Sequence, residues 1–296
     1  MLSILALVLV LPVQAATKNG FDITDALVPV KEIRRGGPGK DGIPAILSPQ
    51  FGHAADAGFM RGDDRVLGIS VGGIHKAFPV KILNWHEVVN DWTQSQRFVM
   101  TYCPLCGSGI AFAVEDEAFG VSGLLYNSDV LLYDFATESL WSQIMMQAVA
   151  GPQKGTRLRQ LPVLHTTWEQ WRILHPDTLV LTRDTGYRGY DYRTNPYRQY
   201  ERNRQLAFPV SHRDTRLPSK TWVLGVTLGD EHVAYPLQVL AKVGHVDDVI
   251  AGQAVQVRFD EGNAWAERDG VTLPTIRLYW FAWATFHPDT RLFEPD

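Results

Sequence analysis

One pattern occurs twice in this chain, and it limits the available folds more than any other feature. Val66-Leu-Gly-Ile-Ser-Val-Gly-Gly-Ile-His-Lys-Ala-Phe-Pro79 returns as Val223-Leu-Gly-Val-Thr-Leu-Gly-Asp-Glu-His-Val-Ala-Tyr-Pro236, with Gly68, His75 and Pro79 matched by Gly225, His232 and Pro236 at an offset of 157. Trp168-x-x-Trp-x-x-x-His-Pro-Asp-Thr178 returns as Trp280-x-x-Trp-x-x-x-His-Pro-Asp-Thr290 at an offset of 112. Two markers in the same order in both halves make the chain an internal duplication. The first marker reads as two strands around a glycine turn, Gly72-Gly73 in the first copy. Val80, Leu83, Val88 and Val89 follow at a spacing that suits a short helix. The fold expected is α+β and strand-dominated: two pseudo-symmetric β-rich lobes, each with short helices.

The two offsets differ, so the first copy carries 45 residues that the second lacks. Shared parts are scaffold, and function belongs in the excess. On that logic His75, His175, His232 and His287, present in both copies, read as structural.

The excess begins near Thr101-Tyr-Cys-Pro-Leu-Cys-Gly107, which holds the only two cysteines, Cys103 and Cys106. A Cys-x-x-Cys-Gly turn between strands is the form of a metal knuckle, in which both thiolates reach one ion and glycine permits the tight turn behind them. The same residues also read as a thiol-disulfide pair, with Cys103 as nucleophile and Cys106 as resolving thiol. That chemistry needs a helix N-terminus to lower the thiol pKa, and Gly107-Ser108-Gly109 is a poor helix start. The third reading is a ligand-binding module stapled by a structural disulfide. A bridge closing a loop of about 4 residues adds only about 2 kcal/mol in the chain-entropy model, which makes stability a weak reason for the pair.

Soft thiolates favour zinc, copper(I) or iron. His86, without a counterpart in register, is the expected third ligand, with Asp129 as the carboxylate alternative. Asn127, Asp129, Ser142 and Gln143 form a dense set of short polar groups between apolar strands, as ligand-binding positions would. A catalytic site would use an open coordination position, with Lys40 and Asp41, from the Gly- and Pro-rich stretch 34–44, orienting or protonating the substrate. All these groups are expected to line one pocket with the cysteines.

Residues 1–15 read as a signal peptide: Leu2 to Val13 is uncharged and largely apolar, too short for an ordinary span, and Val13-Gln14-Ala15 resembles a cleavage site. The expected divisions are then an N-terminal segment 16–65, a first repeat 66–182, a connector 183–221 and a second repeat 222–296. The connector holds five of the ten tyrosines and eight arginines, and it reads as a strap across the lobes. Export to the periplasm or beyond is expected, with no transmembrane helix in the mature chain. A net charge of −4 gives no general attraction to nucleic acid, so the partners expected are a small molecule, a metal donor or a redox protein.

Gly36-Gly-Pro-Gly-Lys-Asp-Gly-Ile-Pro44, His86-Glu-Val-Val-Asn-Asp91, Thr101-Tyr-Cys-Pro-Leu-Cys-Gly107, Phe119-Gly-Val-Ser-Gly-Leu-Leu-Tyr-Asn-Ser-Asp129 and Glu138-Ser-Leu-Trp-Ser-Gln143 together resemble the bacterial family catalogued as domain of unknown function 3179, over about residues 30 to 294. That resemblance implies an exported context and a motif set, and no reaction.

Overall fold

The computed structural model describes residues 15–295, so the expected signal segment lies almost wholly outside the described residues. Four short strands come first: β1 Thr17–Lys18, β2 Phe21–Asp22, β3 Ile33–Arg35 and β4 Phe51–His53. The first copy opens with β5 Arg65–Val71, β6 Ile74–Pro79, α1 Val80–His86, β7 Val88–Trp92, β8 Arg97–Cys103 and β9 Ser108–Val114. It continues through β10 Phe119–Tyr126, β11 Asp129–Asp134, β12 Leu140–Ser142 and β13 Gln147–Ala150. It closes with β14 Arg159–Leu161, β15 Leu164–Thr167, α2 Trp168–Leu174 and β16 Leu179–Leu181. After the connector helix α3 Arg198–Arg202, the second copy opens with β17 Trp222–Leu228, β18 Glu231–Pro236, α4 Leu237–Val243, β19 His245–Ile250 and β20 Gln253–Asp260. It ends with β21 Asn263–Arg268, β22 Val271–Thr272, β23 Thr275–Tyr279, α5 Trp280–Phe286 and β24 Arg291–Leu292.

The two copies build the same lobe. One sheet runs β15-β5-β6-β16-β4 and its counterpart β23-β17-β18-β24; a second runs β14-β9-β8-β7 and its counterpart is β19-β20-β21-β22. Registers correspond as well. Gly68 faces Leu164 as Gly225 faces Ile276, and Lys76 faces Leu179 in parallel as Val233 faces Arg291.

The repeated glycines are explained by the repeated tryptophans. A Cβ on Gly68 would lie 2.3 Å from the Trp171 ring, and one on Gly225 would lie 2.2 Å from Trp283, so each strand admits its helix only where it lacks a side chain. Trp171 Nε1 donates to Thr178 Oγ1 (2.7 Å) and Trp283 Nε1 to Thr290 Oγ1 (2.8 Å). Each hydroxyl donates in turn to the carbonyl of a repeated histidine, His75 or His232, at 3.1 Å. His75 stacks on His175 and His232 packs on His287, each with centroids 3.9 Å apart. The repeated residues are thus lobe packing, as expected of scaffold.

The excess falls in two places. Cys103 pairs with Ser108 where Asp260 pairs with Asn263, so a four-residue turn in the first lobe replaces a two-residue turn in the second. The rest is β10–β13, which with β3 forms a sheet, β13-β12-β11-β10-β3, without a counterpart in the second copy. Alternation gives this sheet two different faces. Val130 and Leu132 join a core that contains both cysteines and, from the second lobe, Val223, Ile276, Tyr279, Trp280 and Trp283. Leu131 and Tyr133 face a separate core built on Phe21, Ile23 and Ile33.

Candidate metal centre

Cys103 closes β8, and the Pro104-Leu-Cys-Gly107 turn returns the chain to β9 with Gly107 N donating to Cys103 O at 2.8 Å. Gly107 holds φ +69, and a Cβ there would strike the Trp222 ring at 2.6 Å. The turn is therefore a knuckle seated on the second lobe, where Tyr279 N also donates to Cys106 O at 2.8 Å. Both cysteines are free and buried.

The third group arrives from the β10–β11 hairpin. Asn127 and Ser128 both take positive φ, 53 and 67, as a two-residue turn joining right-twisted strands requires. This turn brings the Ser128 carbonyl to both sulfurs, 3.6 Å from Cys103 Sγ and 3.3 Å from Cys106 Sγ. It also brings in Asp129: one carboxylate oxygen and the two sulfurs lie within 4.8 Å of one another. Asp129 is fully buried. Its Oδ2 accepts from Ser142 Oγ (2.7 Å) and from Ile144 N (3.2 Å), whereas its Oδ1 has no hydrogen-bond partner. Burial pushes this carboxyl up to about 7, against the lowering effect of its bond from Ser142. Burial also pushes the Cys106 thiol well up, reinforced by its hydrogen bond and charge interaction with Cys103.

The expected third ligand, His86, is elsewhere. Its Nδ1 lies 2.8 Å from Pro44 O and its Nε2 lies 2.7 Å from Tyr192 OH, so both nitrogens are occupied. Burial lowers its pKa. The carboxylate Asp129 stands where a histidine was expected.

Lys40 and Asp41 also lie apart from the sulfurs. Asp41 accepts from Tyr133 OH at 2.8 and 2.7 Å, and the Lys40 ammonium pairs with Glu138 and lies 4.6 Å over the Tyr133 ring. Tyr133 points to the sheet face opposite Leu132, which fixes this pair on the far side of the sheet from the cysteines. Of the polar set, Ser142 orients Asp129. Gln143 is buried but bridges Ser108 Oγ (2.5 Å) and Thr101 Oγ1 (2.8 Å), bracing the strands that carry the knuckle. Asn127 Oδ1 accepts from Ser211 N of the connector at 2.8 Å.

Glu87 completes the surroundings and was missed as a site residue. It is buried, burial pushes its carboxyl up to about 7, and it accepts from Tyr197 OH at 3.2 Å. It caps α1 at φ 58 and ψ −30, a conformation suited to glycine, and its equivalent at the offset of 157 is Gly244 with φ 76. A glutamate where the sister copy has glycine was the available signal. The connector roofs the knuckle: Tyr200 OH donates to Leu105 O (2.8 Å), and Lys220 Nζ lies 3.2 Å over the Tyr200 ring.

Two thiols and a carboxylate oxygen, all buried and within 4.8 Å of one another, can hold a metal ion, and their chemistry suits a thiophilic or borderline one. Among the described residues no helix is long and apolar enough to cross a membrane. No curated protein and no solved structure matches the chain. A family described as "Protein of unknown function (DUF3179)" matches residues 40–271, a span that takes in the knuckle, the β10–β13 excess, the connector and most of the second lobe, and the chain belongs to that family.

Proposed function

We propose that this chain is an exported metal-binding protein whose ligands are Cys103, Cys106 and Asp129, with zinc as the ion the donor set fits best. The observation that carries the reading is the convergence of two buried sulfurs and one carboxylate oxygen of Asp129 within 4.8 Å, in a residue whose Oδ1 has no partner. An orphaned buried acceptor of this kind costs about 1–3 kcal/mol, more when charged, unless a ligand satisfies it. Copper(I) is served best by sulfur alone, whereas zinc and iron accept mixed sulfur and oxygen donors; zinc needs no redox partner. Three protein donors leave one tetrahedral position for a water or substrate. Glu87 and Tyr197 stand close enough to the knuckle to shape what binds there. An ion would supply Lewis acidity; the chain itself supplies the burial of all three donors, the Ser142 bond that orients Asp129, and a second carboxyl titrating near neutrality.

Export rests on the apolar stretch Leu2 to Val13 and the Val13-Gln14-Ala15 pattern. The thiol-disulfide reading draws on the closeness of the sulfurs, but burial of both and the raised Cys106 pKa oppose an exchange partner's approach. Elemental analysis of protein isolated from its own compartment, with thiol counting, tests the proposal. The expected result is one metal per chain, lost in Cys106→Ser and much weakened in Asp129→Asn. A parent protein that carries no metal, takes up none on addition of zinc, and cycles between dithiol and disulfide would replace this reading with the redox one.

A further inference from the structure

The duplication places equivalent residues of the two lobes at one junction. Arg65 and Trp222 are equivalents at the offset of 157; His165 and Arg277, and likewise Thr167 and Tyr279, are equivalents at 112. In one half of the junction the knuckle fills the space against Trp222 and Tyr279. In the other half the corresponding turn is Glu261-Gly262, two residues shorter, and it faces Arg65 and Thr167. The shorter turn leaves a cavity of about 160 Å³, the volume share of about five waters.

The cavity is cationic at one end. Arg65 and Arg277 both lie over the Trp222 ring, at 5.7 and 5.3 Å from its centroid. Arg277 Nη1 donates to two carbonyls, His165 O (3.3 Å) and Gly262 O (3.0 Å). Its Nε and Nη2 protons have no protein acceptor among the described residues. Burial and the nearby Arg65 charge push Arg277 down to about 10. Arg65 donates to Tyr102 OH at 2.8 Å and has Glu201 at 3.8 Å, and it keeps 41% of its side-chain exposure. Glu261, at the exposed rim, pairs with neither arginine among the described residues. Asn263, a buried polar residue, also lines the cavity. Val66 and Val80 add apolar side chains to the same lining.

Two guanidiniums with spare donors, drawn together at a desolvation cost, form a receptor for an oxyanion. The apolar side chains in the same lining, Val66 and Val80, select an anion with a hydrocarbon body. We propose that this inter-lobe cavity binds a small organic carboxylate, its oxygens held by Arg65 and Arg277 and its apolar end against Val66 and Val80. The site is independent of the sulfur centre and stands whether or not a metal binds there.

The test is calorimetric titration of the intact protein, stripped of metal by chelation, with sodium butyrate and separately with inorganic phosphate at low ionic strength. The proposal expects saturable binding of one butyrate per chain, weakened about tenfold or more in Arg277→Gln, and weaker binding of phosphate. Because Arg277 also ties two backbone carbonyls, Arg65→Gln serves as the second variant and carries the same expectation. Absence of saturable butyrate binding, or affinity unchanged in a folded variant, overturns the site. Phosphate bound as tightly as butyrate overturns the carboxylate assignment.

Discussion

The two lobes share strand order, register, glycine-tryptophan packing and stacked histidines, yet only one carries the two cysteines. Where the second lobe turns from β20 to β21 in two residues, the first takes four, with Cys103 at the strand end before the turn and Cys106 within it. Where the second ends α4 on Gly244, the first ends α1 on a buried glutamate. Where the second joins β21 to β22 directly, the first inserts a sheet that delivers Asp129. The comparison teaches that a duplicated scaffold can concentrate its polar burden in one copy, because the other supplies the wall against which the site is closed. Trp222 and Tyr279 do this for the knuckle.

The largest effect expected comes from making the first lobe resemble the second. Replacing Pro104–Gly107 by Glu-Gly removes a sulfur, the Tyr279–Cys106 bond and the Tyr200–Leu105 bond, and it opens space beside Trp222. A loss of about 3–5 kcal/mol in denaturant unfolding and complete loss of metal uptake are expected. Full stability with metal retained would show that the knuckle is not what closes the site.

Next come Gly68→Ala and Gly225→Ala, each destabilising by about 1–3 kcal/mol as the new methyl displaces a tryptophan ring. Similar losses at both positions confirm one packing scheme used twice. A loss at one alone would mean that the lobes tolerate strain differently.

Much of this scaffold was legible because the two markers fix strand, helix and register at constant offsets, and a repeat constrains both halves at once. Cys103, Cys106 and Asp129 were legible as residue types suited to a metal on adjacent turns. His86 was misread because sequence proximity to the cysteines says nothing about direction: α1 ends there, and the imidazole points to Pro44 and Tyr192. Lys40 and Asp41 were misplaced for a similar reason, since only the pleat of β11 reveals that Tyr133, their partner, faces away from Leu132. The arginine cavity was invisible because it arises from a difference in turn length, which appears only once Cys103–Ser108 and Asp260–Asn263 are seen to be equivalent pairs.

A smaller effect separates the lobes by pH. Asp129 has no counterpart in the second copy, and its folded pKa of about 7 lies above its ordinary 3.8. Between those values the unfolded chain is ionised and the folded chain is protonated, so this group lowers the stability of metal-free protein as pH rises from about 4 to about 7. Asp129→Asn should remove that decline and leave metal-free protein more stable than the parent at neutral pH, by on the order of 2 kcal/mol. Parallel melting curves of the two proteins across this range measure the difference. Identical slopes would mean that Asp129 is ionised in the folded state. With metal bound the sign reverses, because protons compete with the ion for the same oxygen.

The smallest effect concerns the two helix ends, and it isolates backbone strain from everything else about Glu87. Glu87→Gly and Glu87→Ala both delete the carboxylate and the bond from Tyr197, and they differ only in a Cβ at a φ of 58. At an ordinary helix position alanine is the more stabilising residue; here glycine should be, by about 1 kcal/mol, because it accepts this conformation without steric cost. Chemical denaturation of the two variants under chelation gives the comparison directly. If alanine proves equal or better, the backbone at residue 87 relaxes once the carboxylate is gone, and the conformation belongs to the side chain's contacts. If glycine wins, the first lobe holds a glycine-type turn with a glutamate in it, at a cost its sister avoids with Gly244, and the buried Glu87 carboxyl is what that cost maintains.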